Sequence, residues 1–188
     1  MARAKSPEKR QALLASAARE IAAVGLGVST AKIAQGAGLA EGTIFTYFAS
    51  KEDLLNELYL ELKTQSHRRI YAGFPHDSGL RERLRHIWVE YLRWAMEKPA
   101  ERSVSVLLNL SLVASATTRE RIDAESALLA QTAGELDQCG AFQNLPPGFG
   151  HSAMMAMLGV VMEMAAAKPR QKALLIEKAF EAFWRMTQ

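Results

Sequence analysis

Apolar residues recur along this chain mainly at the three- and four-residue spacing of an α-helix. Ser6 and Pro7 are typical of a helix start, because a hydroxyl can cap free backbone N–H groups and proline fits the first helical position. Gly25 and Gly27 then end the segment, whose apolar face comprises Leu13, Leu14, Ala17, Ala18, Ile21 and Ala22. Runs of β-branched residues are few. The pattern therefore predicts an all-α protein.

Continued along the chain, the same pattern predicts about nine helices joined by short connections, which is typical of helical bundles. Caps, glycines and prolines give the expected boundaries: Pro7 to before Gly25, Thr30 to about Ala37, Ala40 to Phe48, a long helix from the Ser50 cap to about Gly73, Leu80 to Lys98, Pro99 to about Ser115, Thr117 to near Gly140, Gly150 to Lys168, and Arg170 to Met186. Thr117 is expected to cap its helix.

Residues 29–48 have the proportions of a helix-turn-helix. Gly38 supplies a turn conformation that other residues resist, and the small Ala34 allows the two helices to cross closely. The residues expected to fill the core beneath are Ile33, Ala37, Leu39, Ile44 and Phe48. On the second helix this leaves other side chains for a DNA major groove: Glu41, Gly42, Thr43, Thr46 and Tyr47. From spacing alone, a helical hairpin in an ordinary bundle is an equal alternative.

The charge of the chain is unevenly distributed. Residues 1–52 hold seven basic and four acidic side chains, so the whole formal net charge of +3 lies there and the remainder is neutral. Such asymmetry points to a polyanion as the partner of the N-terminal segment, but a surplus of three charges is small and chance is the alternative. Arg3, Lys5, Lys9 and Arg10 are candidates for a DNA-contacting arm, with a solvated tail as the equal alternative.

Other chemistry is weakly represented. Cys139 is the only cysteine, the four histidines lack paired ligand spacing, and no nucleophile or dinucleotide motif occurs. The N-terminus lacks the apolar core of a signal peptide. The longest apolar run, Ala153 to Ala167, is interrupted by Glu163 and is too short for a membrane span. We therefore expect a cytoplasmic protein that is not an enzyme and needs no cofactor or metal.

The segment from Ile33 to Leu54, IAQGAGLAEGTIFTYFASKEDL, resembles the N-terminal signature of the TetR family, the tetracycline-repressor-like regulators. The resemblance covers roughly residues 10–55. It implies a three-helix DNA-binding domain over residues 1–50 and a helical ligand-binding and dimerisation domain over residues 51–188. It also implies a homodimer that binds a palindromic operator, usually as a repressor, and that a small-molecule inducer releases. A helical ligand-binding or interaction protein without sequence-specific DNA binding is the alternative.

Carried over by position, the resemblance makes Ala40–Phe48 the recognition helix. It implies DNA contacts by Ser29, Glu41, Gly42, Thr43, Phe45, Thr46, Tyr47 and Lys51. Among these, Glu41 and Gly42 are expected to face bases, and Lys51 to meet a phosphate at the start of the following helix. Two departures stand out: Phe45 occupies a position where tyrosine is usual, and Ala40 one where a capping serine is common.

For the C-terminal domain the resemblance gives an architecture without a sequence motif. Methionines and aromatics suit a pocket for a largely apolar inducer, and the candidates are Trp88, Tyr91, Trp94, Leu107, Met154, Met155 and Leu158. At helical spacing the same residues also suit an ordinary core. The helix from Gly150 to Lys168 is apolar on nearly all sides, so a partner subunit is expected to cover part of it, with a completely buried central helix in a monomer as the alternative. Interface candidates are Met157, Val161, Met164, Phe180, Phe183 and Trp184.

Overall fold

The computed structural model describes residues 6–188, and all regular structure within that range is helical. There are ten α-helices in it: α1 Pro7–Val24, α2 Thr30–Gly36, α3 Ile44–Tyr47, α4 Lys51–Tyr71, α5 Leu80–Glu97, α6 Pro99–Leu110, α7 Ala116–Glu125, α8 Ala127–Leu136, α9 Phe149–Ala167 and α10 Lys172–Arg185. Short 3-10 turns cover Glu41–Thr43, Gly140–Phe142 and Pro169–Gln171. The all-α prediction is confirmed.

The helix predicted from Thr117 to near Gly140 is two helices, so that prediction was wrong in its extent. The interruption lies at Ser126, whose backbone N–H and hydroxyl both donate to the carbonyl of Asp123 at 3.1 Å. A serine that bonds its own local backbone in this way competes with the helical ladder. The cap also differs, because the backbone N–H of Thr118 donates to Ser115 Oγ at 3.1 Å and α7 begins at Ala116.

The predicted recognition helix is shorter than expected. In place of one α-helix over Ala40–Phe48, a 3-10 turn over Glu41–Thr43 leads into the four-residue α3. Ala40 stands at the cap position of the 3-10 turn and provides no side-chain hydrogen bond. Because alanine has no acceptor for the free N–H groups of a first helical turn, the missing cap fits the irregular start of this segment.

The chain divides into two compact units. The first runs through Gln65 and includes Lys98–Ile122. Its core joins α1, α2, α3 and the first part of α4 to α6, which contributes the buried Val104 and Leu108. The helix-turn-helix therefore shares one hydrophobic core with α6, a helix that follows it by some fifty residues in the chain.

The second unit comprises Ser66–Glu97 and Asp123–Gln188. Trp88 of α5 lies at its centre, with ring centroids 5.8 Å from those of both Phe180 and Phe183 of α10. The Asp137 carboxylate accepts from the backbone N–H of Gly150 at 2.9 Å and thereby caps the start of α9. By length and composition α9 meets the criteria for a membrane span, a test that the core helix of a water-soluble protein also passes.

Candidate nucleic-acid interface

Helix α1 holds α2 at close range. The buried Ser16 hydroxyl of α1 donates to the carbonyl of Ile33 at 2.7 Å, and Arg19 donates to the carbonyl of Gly36 at 2.9 Å. A Cβ atom added at Gly36 would lie only 2.5 Å from Ser16 Oγ. The two helices can therefore approach this closely only because residue 36 has no side chain. Sequence reasoning assigned the close crossing to Ala34, which is indeed fully buried, and missed Gly36.

The turn between α2 and the recognition segment has the predicted chemistry. Gly38 adopts φ +69°, and the backbone N–H of Leu39 donates back to the carbonyl of Ala34 at 2.9 Å. Beyond the turn, Ile44 and Phe48 are buried in the core of the first unit. These two anchors fix which side of the recognition segment faces away from the protein.

That outward side carries four of the predicted DNA-contacting residues. Glu41, Gly42, Phe45 and Thr46 are all exposed, and Phe45 presents 53% of its surface to solvent. A Cβ atom at Gly42 would meet no protein atom within 4 Å, and its φ lies outside the left-handed region. The fold itself therefore does not require glycine at this position.

Tyr47 and Thr43 are half-buried at the edge of the same surface. The backbone N–H of Ser6 donates to the Tyr47 hydroxyl at 3.1 Å, while the Ser6 side chain caps α1 through the N–H of Lys9. The tyrosine therefore ties the recognition segment to the start of α1. Its hydroxyl proton is left to donate elsewhere, since this bond uses only an oxygen lone pair.

Lys51 lies at the first position of α4, and its ammonium donates to the carbonyl of Leu26 at 2.7 Å. The bond links α4 to the loop between α1 and α2. An ammonium has three donors, so a phosphate contact remains chemically available. Ser50 Oγ accepts from the N–H of Asp53 at 3.0 Å, which confirms the predicted cap, and the Asp53 carboxylate accepts from the N–H of Ala49.

Ser29 and Glu41 complete the set. Ser29 is exposed and caps α2, its hydroxyl accepting from the N–H of Lys32 at 3.2 Å. The Glu41 carboxylate accepts from the Thr30 hydroxyl at 3.3 Å. The structure therefore places all eight predicted residues on or beside one module, five of them exposed and three half-buried.

Ion pairs hold this module together in a way that the sequence did not indicate. Glu57 of α4 accepts from Arg10 of α1 and, at 2.8 Å, from Arg121 of α7. Arg10 also lies over the ring of Phe48, 5.5 Å from its centroid. No spacing rule predicts pairs 47 and 64 residues apart in the chain. Of the four residues of the candidate basic arm, Arg3 and Lys5 lie outside the described residues, Lys9 is exposed, and Arg10 is engaged in this structural role.

Most of the candidate pocket residues lie together in the second unit. Trp88, Met154 and Leu158 are buried in one cluster, and Tyr91 and Met155 pack against it. Trp94 of the same unit is also buried, with its ring 5.8 Å from that of Tyr91. Leu107 differs, because it lies on α6 in the first unit and is 38% exposed.

The candidate interface residues divide by burial. Phe180, Phe183 and Val161 are buried in the core of the second unit, while Met157 and Trp184 are partly buried against it. Met164 is 44% exposed on α9. Burial leaves the first three no surface for another subunit. The large apolar side chains exposed on α9 and α10 are Phe149, Val160, Met164 and Leu174, and among them only Met164 is one of the candidates.

Comparison with known proteins agrees with this geometry. The family model described as bacterial regulatory proteins of the tetR family matches residues 13–58, which span most of α1 through the start of α4. A putative tetR family transcription regulator from Shewanella sp. PV-4 is 26% identical over 94% of this chain and 96% of its own, with a TM-score of 0.80. A TetR family transcription regulator from Marinobacter aquaeolei VT8 is 24% identical over 93% and 95%, with a TM-score of 0.78.

A more distant structure shares the same fold. The transcriptional regulator FadR from Bacillus subtilis, in complex with stearoyl-CoA, is 19% identical over 95% of this chain and 99% of its own, with a TM-score of 0.70. The matched signature coincides with the helix-turn-helix built on Gly38, and the structural likeness extends over nearly the whole chain. This chain therefore carries the DNA-binding signature of the TetR family over residues 13–58 and has the fold of TetR-family transcription regulators over nearly its whole length.

Proposed function

We propose that this regulator binds a palindromic DNA operator as a homodimer, acts as a repressor, and is released by a small, largely apolar inducer. The observation that carries the DNA-binding part is the exposed face of the recognition segment. Ile44 and Phe48 anchor it in the core, while Glu41, Gly42, Phe45 and Thr46 are exposed on its outward side.

Contacts to the DNA backbone are assigned to the rim of this face. Ser29, Thr43, Tyr47 and Lys51 carry hydroxyl or ammonium donors, and phosphate oxygens accept such donors without regard to sequence. Tyr47 and Lys51 are already fixed by their bonds to Ser6 and Leu26. A donor that is held in place before binding loses less conformational entropy on binding.

Helix α6 is tied to the DNA-binding helices within the first unit. This helix packs in the core of the DNA-binding unit, and Tyr59 of α4 donates to Asn109 of α6 at 2.7 Å. Asn56 of α4 donates to the carbonyl of Val113 at 3.2 Å and accepts from the N–H of Ser115 at 2.8 Å. A shift of α6 would therefore displace α4, which carries Lys51 at its start.

The inducer is assigned to the apolar cluster of the second unit. The indole N–H groups of Trp88 and Trp94 are buried there and have no hydrogen-bond partner among the described residues. Because burying such a donor without a partner is costly, we expect the inducer to combine an apolar body with at least one hydrogen-bond acceptor. The related FadR of Bacillus subtilis was solved with stearoyl-CoA, a molecule of that general character.

Dimerisation is assigned to α9 and α10. Val160 and Leu174 are 55% and 63% exposed, and α9 is apolar enough to require cover on more than one side. Two α9–α10 pairs, one from each subunit, would bury these side chains in a four-helix contact. A charged residue at either position should then dissociate the dimer, as light scattering at fixed protein concentration would show.

The proposal is tested by selecting duplexes from a random-sequence library with the purified full chain. Enrichment of an inverted repeat with two half-sites about one or more helical turns apart would support it. Measuring the affinity of the selected duplex against salt then reports how many phosphates are contacted. Recovery of no consensus, with negligible binding to any duplex at low salt, would contradict it.

A further inference from the structure

We infer that Phe45 reads thymine in the operator through the thymine C5-methyl group and is the main source of apolar base recognition in this protein. The inference rests on the proposed function, because it requires the recognition segment to lie in a major groove. It adds the base and the chemical group that one named side chain recognises.

The first observation is the exposure of Phe45. It presents 53% of its surface to solvent, although its chain neighbour Ile44 is fully buried. A phenylalanine exposed to this extent forgoes much of the burial by which an aromatic side chain stabilises a fold. The side chain lies on the same outward face as Glu41 and Thr46. An apolar ring on the face assigned to DNA is suited to an apolar group of the DNA.

The second observation is the chemistry that this face lacks. Residues 40–49 contain no arginine, lysine, asparagine or glutamine. These are the side chains that bond guanine or adenine in bidentate fashion across the major groove. The segment therefore cannot read purine edges in the usual way, and its remaining base-directed groups are one carboxylate, hydroxyls, a glycine backbone and apolar surface.

The third observation concerns the phosphates. Phe45 has no hydroxyl and cannot donate to a phosphate oxygen, whereas the nearby Tyr47 keeps a donor proton and lies at the edge of the face. The apolar group that the major groove offers is the thymine C5-methyl, which phenylalanine contacts in known complexes. Phe45 therefore fits a methyl group of a base better than it fits the sugar-phosphate backbone.

The expected size of the effect follows from burial of one methyl group. Removing a buried methyl weakens an interaction roughly fourfold, equivalent to about 0.8 kcal/mol. In a symmetric dimer each operator half-site loses one methyl, so the paired change should weaken binding roughly 16-fold. Replacing thymine by deoxyuridine removes only this methyl group and leaves Watson–Crick pairing intact.

The experiment uses the duplex selected by the full chain, resynthesised with deoxyuridine at one symmetric pair of thymines at a time. Fluorescence anisotropy gives the Kd of the wild type, Phe45→Ala, Phe45→Tyr and Leu145→Ala for each duplex. Leu145 is the control, since it is an exposed apolar residue of the second unit that lies in the loop before α9. We expect one or two deoxyuridine pairs to weaken the wild type, Phe45→Tyr and Leu145→Ala, but not Phe45→Ala.

Two results would overturn the inference while leaving the proposed function intact. One is a wild type that binds the selected duplex yet tolerates deoxyuridine at every position. The other is a Phe45→Ala protein with the same deoxyuridine penalties as the wild type. If Phe45→Ala binds too weakly to measure, Phe45→Leu and Phe45→Ser replace it. Leucine keeps some aliphatic contact with the methyl group and serine keeps none. Deoxyuridine penalties that stay at the wild-type value in both variants would therefore also overturn the inference. Failure to select any duplex would contradict the proposed function itself.

Discussion

The contact between Ser16 and Gly36 offers a quantitative test of how the DNA-binding module is built. Gly36→Ala would place a Cβ atom 2.5 Å from Ser16 Oγ, closer than the 3.0 Å below which real Cβ contacts are essentially absent. The Ser16 hydroxyl cannot easily turn away, because it is buried and donates to the carbonyl of Ile33 at 2.7 Å. Helices α1 and α2 must therefore separate, or this hydrogen bond must break.

The effect of Gly36→Ala on stability combines a loss from overpacking with a gain in helix propensity. Overpacking of this kind destabilises a protein by about 1–3 kcal/mol, while replacing a helical glycine by alanine returns at most about 1 kcal/mol. Taking about 2 kcal/mol for the overpacking and about 1 kcal/mol for the gain from replacing glycine, the net loss should be about 1 kcal/mol. For a chain of this length that corresponds to a melting temperature lower by about 2–4 °C for each kcal/mol.

A double-mutant cycle isolates the contact. Ser16→Ala alone should cost about 1 kcal/mol for the lost hydrogen bond, and the carbonyl of Ile33 still accepts from the N–H of Ala37 at 3.1 Å. In that background Gly36→Ala should cost almost nothing, since the remaining close atom belongs to the flexible Glu20 side chain. Urea titrations of the four proteins, followed by circular dichroism, give the coupling energy.

Gly134→Ala is the matched control, because a Cβ atom at this glycine within α8 meets nothing within 4 Å. It should stabilise the protein by up to about 1 kcal/mol. If Gly36→Ala were as stable as the wild type, or cost the same with and without Ser16, the account of the α1–α2 contact would be refuted.

Three further predictions concern the DNA face and the second unit. Gly42→Ala should leave the melting temperature unchanged or raised, because the space around Gly42 is open in the free protein. The added methyl group should weaken operator binding several-fold, as fluorescence anisotropy would show, because Gly42 lies on the face assigned to DNA. Lys51→Ala should weaken binding to every duplex and lower the salt slope by about two phosphates, one for each subunit of the dimer, whereas Glu41→Ala should change which half-site sequences a library selection recovers. Hydrogen bonds from Arg83 lower the pKa of Glu135, so their contribution to stability is complete above the ordinary glutamate pKa and is lost as pH falls through the lowered one. Melting temperatures between about pH 6 and about pH 3 should therefore fall more for the wild type than for Glu135→Gln; equal losses would argue against this pair.

The sequence predicted the DNA-binding module best, because its caps and turn depend on residues that are close together in the chain. Ser6, Ser29, Gly38 and the Ser50 cap each act through residues within five positions of themselves, and each forms as expected. Hydrophobic periodicity likewise predicted the burial of Ile44, because one helical face sufficed to specify it. Local capping and periodicity are readable from a single sequence, since their physical causes lie within a few residues.

What the sequence missed depends on distant contacts. The fit of Gly36 against Ser16 and the two ion pairs of Glu57 join residues that only the folded chain brings together. The break at Ser126 was also missed, because Thr117 suggested a cap and no glycine or proline lies near the interruption. The candidate dimer residues were also only partly right, because some of them are buried in the core. Periodicity alone does not tell the core-facing Phe180 from an exposed neighbour on α10.

The central claim is that the face carrying Glu41, Gly42, Phe45 and Thr46 reads DNA in a sequence-specific manner. The most direct measurement is the affinity of the full chain for its selected duplex and for a scrambled duplex, over a range of salt concentrations. The account predicts a clear preference for the selected duplex and a steep fall of affinity for both as salt increases. Equal affinity for the two duplexes, or negligible binding to both at low salt, would contradict it.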